Sequence, residues 1–160
     1  MFISVAISSS KIVFASQLDH KIVVLVNDRI ITSFDIIQRI KVTSILNDIK
    51  VNEDNINIIR NSVIKELIDE KLKIEKAMEY NFKVNEDEYL EAENNILNQR
   101  GIFKNKLIDV FKENNINYEE FSDFVKTQIM WQKVISGLYY RLVSASEIEI
   151  NVVLKKNSSI

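Results

Sequence analysis

The chain has 160 residues, 46% hydrophobic and 28% charged, enough for one soluble globular domain with a real core and too apolar for wholesale disorder. A net charge of -2 excludes the basic face that a nucleic-acid binder needs to displace counterions. Cysteine is absent, which removes structural disulfides, thiolate metal sites and thiol nucleophiles; zero prolines and two glycines disfavour sandwiches, barrels and glycine-rich phosphate loops, so a mainly helical fold is expected.

Residues 1–16, MFISVAISSSKIVFAS, are apolar but fall short of the roughly 18 residues of a membrane span. They read as a signal peptide, with Val13-Phe14-Ala15 before a cleavage point, or as a disordered tail; no basic stretch precedes the apolar part and Lys11 interrupts it. Ile22 to Ile31 predicts a short hairpin, because two β-branched runs flank Asn27-Asp28, residue types that tolerate positive φ. Two strands alone are marginal, so the ribbon's apolar face must lie on helices or pair with something else. Thr32-Ser33-Phe34-Asp35 then predicts a helix start with a hydroxyl cap, an acid in the first turn, and Ile31 placed for a staple contact. This helix is expected to reach Ile49, with Phe34, Ile37, Ile40 or Lys41, Ile45 and Ile49 on one side.

Asn55 to Asn81 is the longest uninterrupted helical pattern, and the chain is organised around it. Ile56, Ile59, Val63, Leu67, Ile74, Ala77 and Met78 fall on one stripe, which Ile64, Ile68 and Leu72 widen on one flank. Asn52 is the expected N-cap, Glu53 and Asp54 the first-turn acids, and Asn81 the left-handed stop. Glu70 falls inside the stripe; its stem is expected to lie along it with the carboxylate reaching water or a lysine, the sharper alternative being a polar group that lines a groove.

Asn85-Glu86-Asp87-Glu88 is a capping box for a helix ending near Arg100, with a thin face of Tyr89, Ala92 or Glu93, Ile96 and Leu97, and Gly101 follows as the C′ residue. Lys104 to Glu113 predicts a short helix, ended by Asn114-Asn115. Asn117-x-x-Glu120 reads as a second capping box, opening a long helix from Tyr118 to Val143 whose stripe of Phe121, Phe124, Val125, Trp131, Ile135, Tyr139 and Leu142 should pack on the central helix. Ser144-Ala145-Ser146-Glu147 is expected to interrupt it. The partition is then 1–16 as signal or tail, one domain over 21–143, and a trailing helical segment over 144–160.

In this order, VVLVNDRIITSFDI, ELIDEKLKIEKAMEYNFKVNEDE, INYEEFSDFVKTQIMWQKVI and VSASEIE resemble the N-terminal chaperone domain of the SurA family, with looser similarity to PpiD and PrsA, over Lys21 to Glu149. The most specific pieces are Val23 to Asp35, Leu67-Ile68-Asp69-Glu70 with Val84 to Glu88, and Tyr118-x-x-Phe121 through Gln128-Ile129. The resemblance implies a mainly α, SurA/trigger-factor-like peptide-binding domain of five to six helices with a short N-terminal β-hairpin. It implies a periplasmic location and unfolded outer-membrane polypeptides as partners, held without ATP or any cofactor. In full-length relatives, parvulin-type prolyl isomerase domains follow, and a C-terminal helix and strand complete the chaperone core. This chain is therefore expected to be a truncated, split or degenerate member, with the uncovered flank of the central helix serving as client surface or homodimer contact.

Parvulin catalysis uses a histidine pair beside a cysteine or aspartate, whereas the single histidine here, His20, stands ahead of the hairpin; no triad or metal set can be built from it. Glu86-Asp87-Glu88 and Glu119-Glu120 sit in helix first turns, where dipole terms of about 0.3–1 kcal/mol account for them. No catalytic, metal or cofactor residue is assigned. Peptide contacts are expected at Ile64, Ile68 and Leu72, and at Tyr89, Met130, Trp131 and Tyr140, whose aromatic and thioether surfaces adapt to varied partners. The edge of Val23 to Val26 is also placed to accept a strand. The expected function is an ATP-independent chaperone module; the alternatives are the non-catalytic part of a prolyl isomerase and a helical dimerisation or adaptor module.

Overall fold

A computed structural model describes residues 21–157, so the signal-like residues 1–16 and His20 lie outside the described residues. Strands β1 (Ile22–Val26) and β2 (Arg29–Thr32) form an antiparallel hairpin, followed by helices α1 (Ser33–Leu46), α2 (Ile56–Glu79), α3 (Glu86–Gln99), α4 (Lys104–Glu113) and α5 (Tyr118–Asn157). The fold is mainly helical with an N-terminal hairpin, as expected.

Local chemistry sets most boundaries. Asn27 takes φ 51° in the hairpin turn, and Leu25 pairs with Ile30 across it. Thr32 Oγ1 accepts from the Asp35 amide at 3.2 Å while the Asp35 carboxylate accepts from the Thr32 amide at 2.8 Å, a complete capping box. Ile31 is fully buried and shares a cluster with Ile36, the staple partner one turn into α1. Thr32→Ala is expected to lower stability by about 1 kcal/mol, read as a lower urea midpoint at unchanged slope. Asn81, Gly101 and Asn115 adopt φ 54°, 64° and 53° just past α2, α3 and α4, so the left-handed stops fall near the predicted places.

Several expected element ends need correction, and α1 itself stops at Leu46 with Asn47 as its C-cap, short of the expected Ile49. The central helix starts at Ile56, because Asn52 caps a separate turn ahead of it, its Oδ1 accepting from the amides of Asp54 and Asn55 at 3.0 and 3.1 Å; Glu53 and Asp54 therefore lie outside the helix. At Asn117 the reciprocal half of the capping box is missing: Gln38 Oε1 takes the Asn117 amide at 3.1 Å, and the Asn117 side chain accepts from Glu119 instead. The Ser144–Glu147 break does not occur, and the backbone is one helix from Tyr118 to Asn157. With neither proline nor glycine between Ser144 and Glu147, the cap-like serine costs only about a few tenths of a kcal/mol in propensity, too little to stop a helix already running.

The core is divided. Val26 and Ile31 of the hairpin, Ile36 of α1, and Val63 and Leu67 of α2 make one buried cluster. Val42 and Leu46 of α1 join Leu97, Leu107, Phe111, Ile116, Phe121 and Val125 in another. Helix α1 thus buries Ile36, Arg39, Val42 and Leu46 rather than the expected Ile37–Ile45 side, because the staple turns Ile36 inward and the α3–α5 cluster captures Val42 and Leu46. Helix α5 lies against α2, α3 and α1, with Val134 buried while Ile135 and Tyr139 are exposed. A helix with contacts on several sides cannot keep one apolar stripe.

Candidate functional site

The side of α1 left open by this packing forms a groove. Ile37, Ile40 and Ile45 line it with Val51 and Ile56 across from them, and the polar rim is Lys41, Ser44 and Asn114, around a cavity of about 360 Å³. Lys41 Nζ donates to the Asn114 carbonyl at 2.9 Å, and Gln38 Nε2 to the Asn115 carbonyl at 3.1 Å, so the rim is fixed to the turn between α4 and α5. Ile40 also packs on the hairpin cluster, which brings the groove up to the ribbon. There the outward faces of Leu25 and Ile30 are 67% and 48% exposed, an apolar sheet face with no helix over it among the described residues. Large exposed apolar area beside a fixed polar rim is a signature of macromolecular contact.

The seven residues expected to touch peptide do not converge. Ile64 and Ile68 are half-buried under the hairpin, which covers the flank expected to be open, while Leu72 on the same helix stays 46% exposed. Met130 lines a cavity between α1, α2 and α5; Trp131 faces a different one and lies under Lys73 Nζ at 5.8 Å. Tyr140 is 74% exposed on α5. Tyr89 donates to Glu93 at 2.5 Å, a contact its place on the thin α3 face did not predict.

Glu93 is the centre of a buried junction. Completely enclosed, it accepts from the hydroxyls of Tyr89 and Tyr118, the latter at 2.8 Å, and from Lys104 Nζ. Burial pushes its carboxyl up, but Lys104 and the two phenols outweigh that and hold it below the usual carboxylate range. Burial and the same carboxylate push Tyr89 up to about 12 and Tyr118 higher still.

Glu70, singled out by its place in the central stripe, pairs with an arginine and not with a lysine. Its carboxylate takes Arg39 Nη1 at 2.5 Å and Nη2 at 3.2 Å, both residues buried, and the guanidinium lies over Phe124 at 5.4 Å. Arg39 Nε has no hydrogen-bond partner among the described residues. The pair also lines two cavities at the junction of α1, α2 and α5. Released from the capping box, Glu120 joins Asp35 and Asp123 at the same junction, where burial and then Asp35 raise its carboxyl above the ordinary range. A raised folded value means that Glu120 contributes most below the ordinary carboxylate range and loses that contribution as pH rises through the raised value. Glu120→Gln is therefore expected to stabilise by about 0.5 kcal/mol at pH 7, discounted for solvent screening, and to leave stability at pH 3 unchanged in paired denaturation curves.

Two curated relatives match most of the chain. Chaperone SurA of Buchnera aphidicola is 26% identical over 171 residues, covering 98% of this chain and 37% of the relative. The chain is SurA-like. Chaperone SurA of Saccharophagus degradans is 24% identical over 138 residues, covering 84% of this chain and 32% of its own length. The SurA-like chain thus spans about a third of the length of these relatives. No family model matches it. No helix among the described residues of the SurA-like chain is long and apolar enough to cross a membrane.

Proposed function

We propose that this chain is a chaperone module that holds unfolded polypeptide without nucleotide, and that the α1 groove with the outer hairpin face is its contact surface. The observation that carries the reading is an open, isoleucine-lined groove with a fixed polar rim in a chain similar to proteins named as chaperones. Isoleucine and valine walls take apolar side chains of any sequence, and the rim of Lys41, Ser44 and Asn114 offers polar partners for main-chain groups. The outer edge of β1, which pairs with no strand other than β2 among the described residues, adds a route by strand addition. Unfolded outer-membrane proteins are the proposed clients and the periplasm the proposed location, supported by the resemblance over Lys21 to Glu149 and the signal-like residues 1–16.

The test is light scattering of a denatured β-barrel protein diluted into buffer without nucleotide. Suppression at equimolar to several-fold excess chain is expected, and Ile37→Asp with Ile45→Asp should reduce it about tenfold in effective concentration, the consequence of removing about 1.4 kcal/mol or more of apolar contact. No suppression by the unaltered chain at several-fold excess would sink the reading. Photo-crosslinks that avoid α1 and the hairpin would move the contact surface elsewhere.

A further inference from the structure

We propose that the Arg39–Glu70 pair is a latch across a cleft between α1 and the α2–α5 pair, and that the opened cleft takes an extended, uncharged segment of polypeptide. The proposal rests on the chaperone reading and adds a second, gated contact site to it.

The core stops on both sides of this pair. Along α1, Ile36 belongs to the hairpin cluster and Val42 to the α3–α5 cluster, with Arg39 between them; along α2, Val63 and Leu67 are apolar and buried and Glu70 follows. Where apolar packing stops, space remains. Cavities of about 290 and 380 Å³ lie at the junction, and Arg39 and Glu70 line both of them. Removing the pair as a wall would join the two cavities into one passage.

The pair is also poorly completed for a permanent strut. It is made end-on through Nη1 and Nη2, and the buried Nε donates to nothing among the described residues. A buried donor left unmade is costly, which narrows the free-energy gap between latched and open forms. The walls of the joined passage suit a peptide. Val42, Leu46 and Phe124 line one cavity and Leu67, Ile74 and Met130 the other, while Asn47 and Gln128 bring amide groups to the first. Its charges nearly cancel: Glu66 and Asp69 face Lys73 and Arg100 in one cavity, and Asp35, Glu120 and Asp123 face Lys71 and Lys126 in the other. An uncharged occupant fits that balance better than a strongly basic or acidic one.

The experiment measures fluorescence anisotropy of a labelled, uncharged peptide of alternating valine and serine residues with the whole chain. Glu70→Gln keeps the side-chain shape and removes the charge, so the open form gains population and the peptide is expected to bind about tenfold tighter, since apparent affinity scales with the competent fraction. The pair Arg39→Met with Glu70→Leu fills the junction with apolar side chains; it should fold even if Glu70→Gln does not, and should bind the peptide more weakly than the unaltered chain. Equal binding by Glu70→Gln and the unaltered chain, or full binding by the apolar pair, would overturn the latch. Ile37→Asp, at the exposed end of the α1 groove, run in parallel, separates the two sites: if it abolishes binding while the latch variants change nothing, the latch fails and the chaperone reading stands. If the unaltered chain neither binds peptide nor suppresses aggregation, both fail.

Discussion

Glu70→Ala is expected to lower the unfolding free energy by about 3–5 kcal/mol, because it leaves the guanidinium of Arg39 buried without its counter-charge. Arg39 is 4% exposed, and its partner is on α2, thirty-one positions along the chain; Phe124 beneath the guanidinium holds it in place without neutralising it. Chemical denaturation at pH 7 checks the value, with an unchanged slope showing that the native state stays compact. Arg39→Ala should cost less than the sum of its parts when combined with Glu70→Ala, since the second truncation removes a charge that the first has already orphaned. A double-mutant cycle that came out additive would show that the pair does not interact energetically.

Glu93→Ala should cost about 3 kcal/mol by removing the acceptor shared by Tyr89, Tyr118 and Lys104, each bond to a charged group being worth about 1.5–3 kcal/mol against solvent. The pH dependence has two arms. Glu93 titrates lower folded than unfolded, so its contribution is complete above the ordinary carboxylate range and is lost as pH falls through the depressed folded value. Tyr89 is raised, so its contribution is complete below the ordinary value of 10.0 and is lost as pH rises towards about 12. Denaturation curves of the unaltered chain against Glu93→Gln should accordingly converge at strongly acidic pH and differ most near neutrality. A constant difference across the acidic limb would mean that the Glu93 carboxylate is not the charge that holds the junction.

How much of this was legible in sequence differs by length scale. The hairpin with its Asn27 turn, the hydroxyl cap at Thr32, the capping box at Asn85, the stops at Asn81 and Gly101, and α4 from Lys104 to Glu113 follow from local chemistry, since each depends on residues within a turn of one another. Glu70 was visible as an anomaly because a carboxylate inside an apolar stripe breaks the helical period, yet nothing local names its partner. Sequence distance hides Arg39, as it hides the pairing of Gln38 with Asn117 and of Glu93 with Tyr118.

By itself, then, the sequence determined the helical class, the order of elements and most of their ends, because hydrogen bonds at caps and turns are made between near neighbours. Which face of each helix is buried was decided only by tertiary structure. Helix α1 carries isoleucines on two sides, and the staple from Ile31 together with capture of Val42 by the α3–α5 cluster chooses between them. That choice sends Arg39 inward to Glu70 and leaves Ile37 and Ile45 facing the groove. An amphipathic period records how many apolar residues a helix offers; only the neighbouring elements fix which of them find cover.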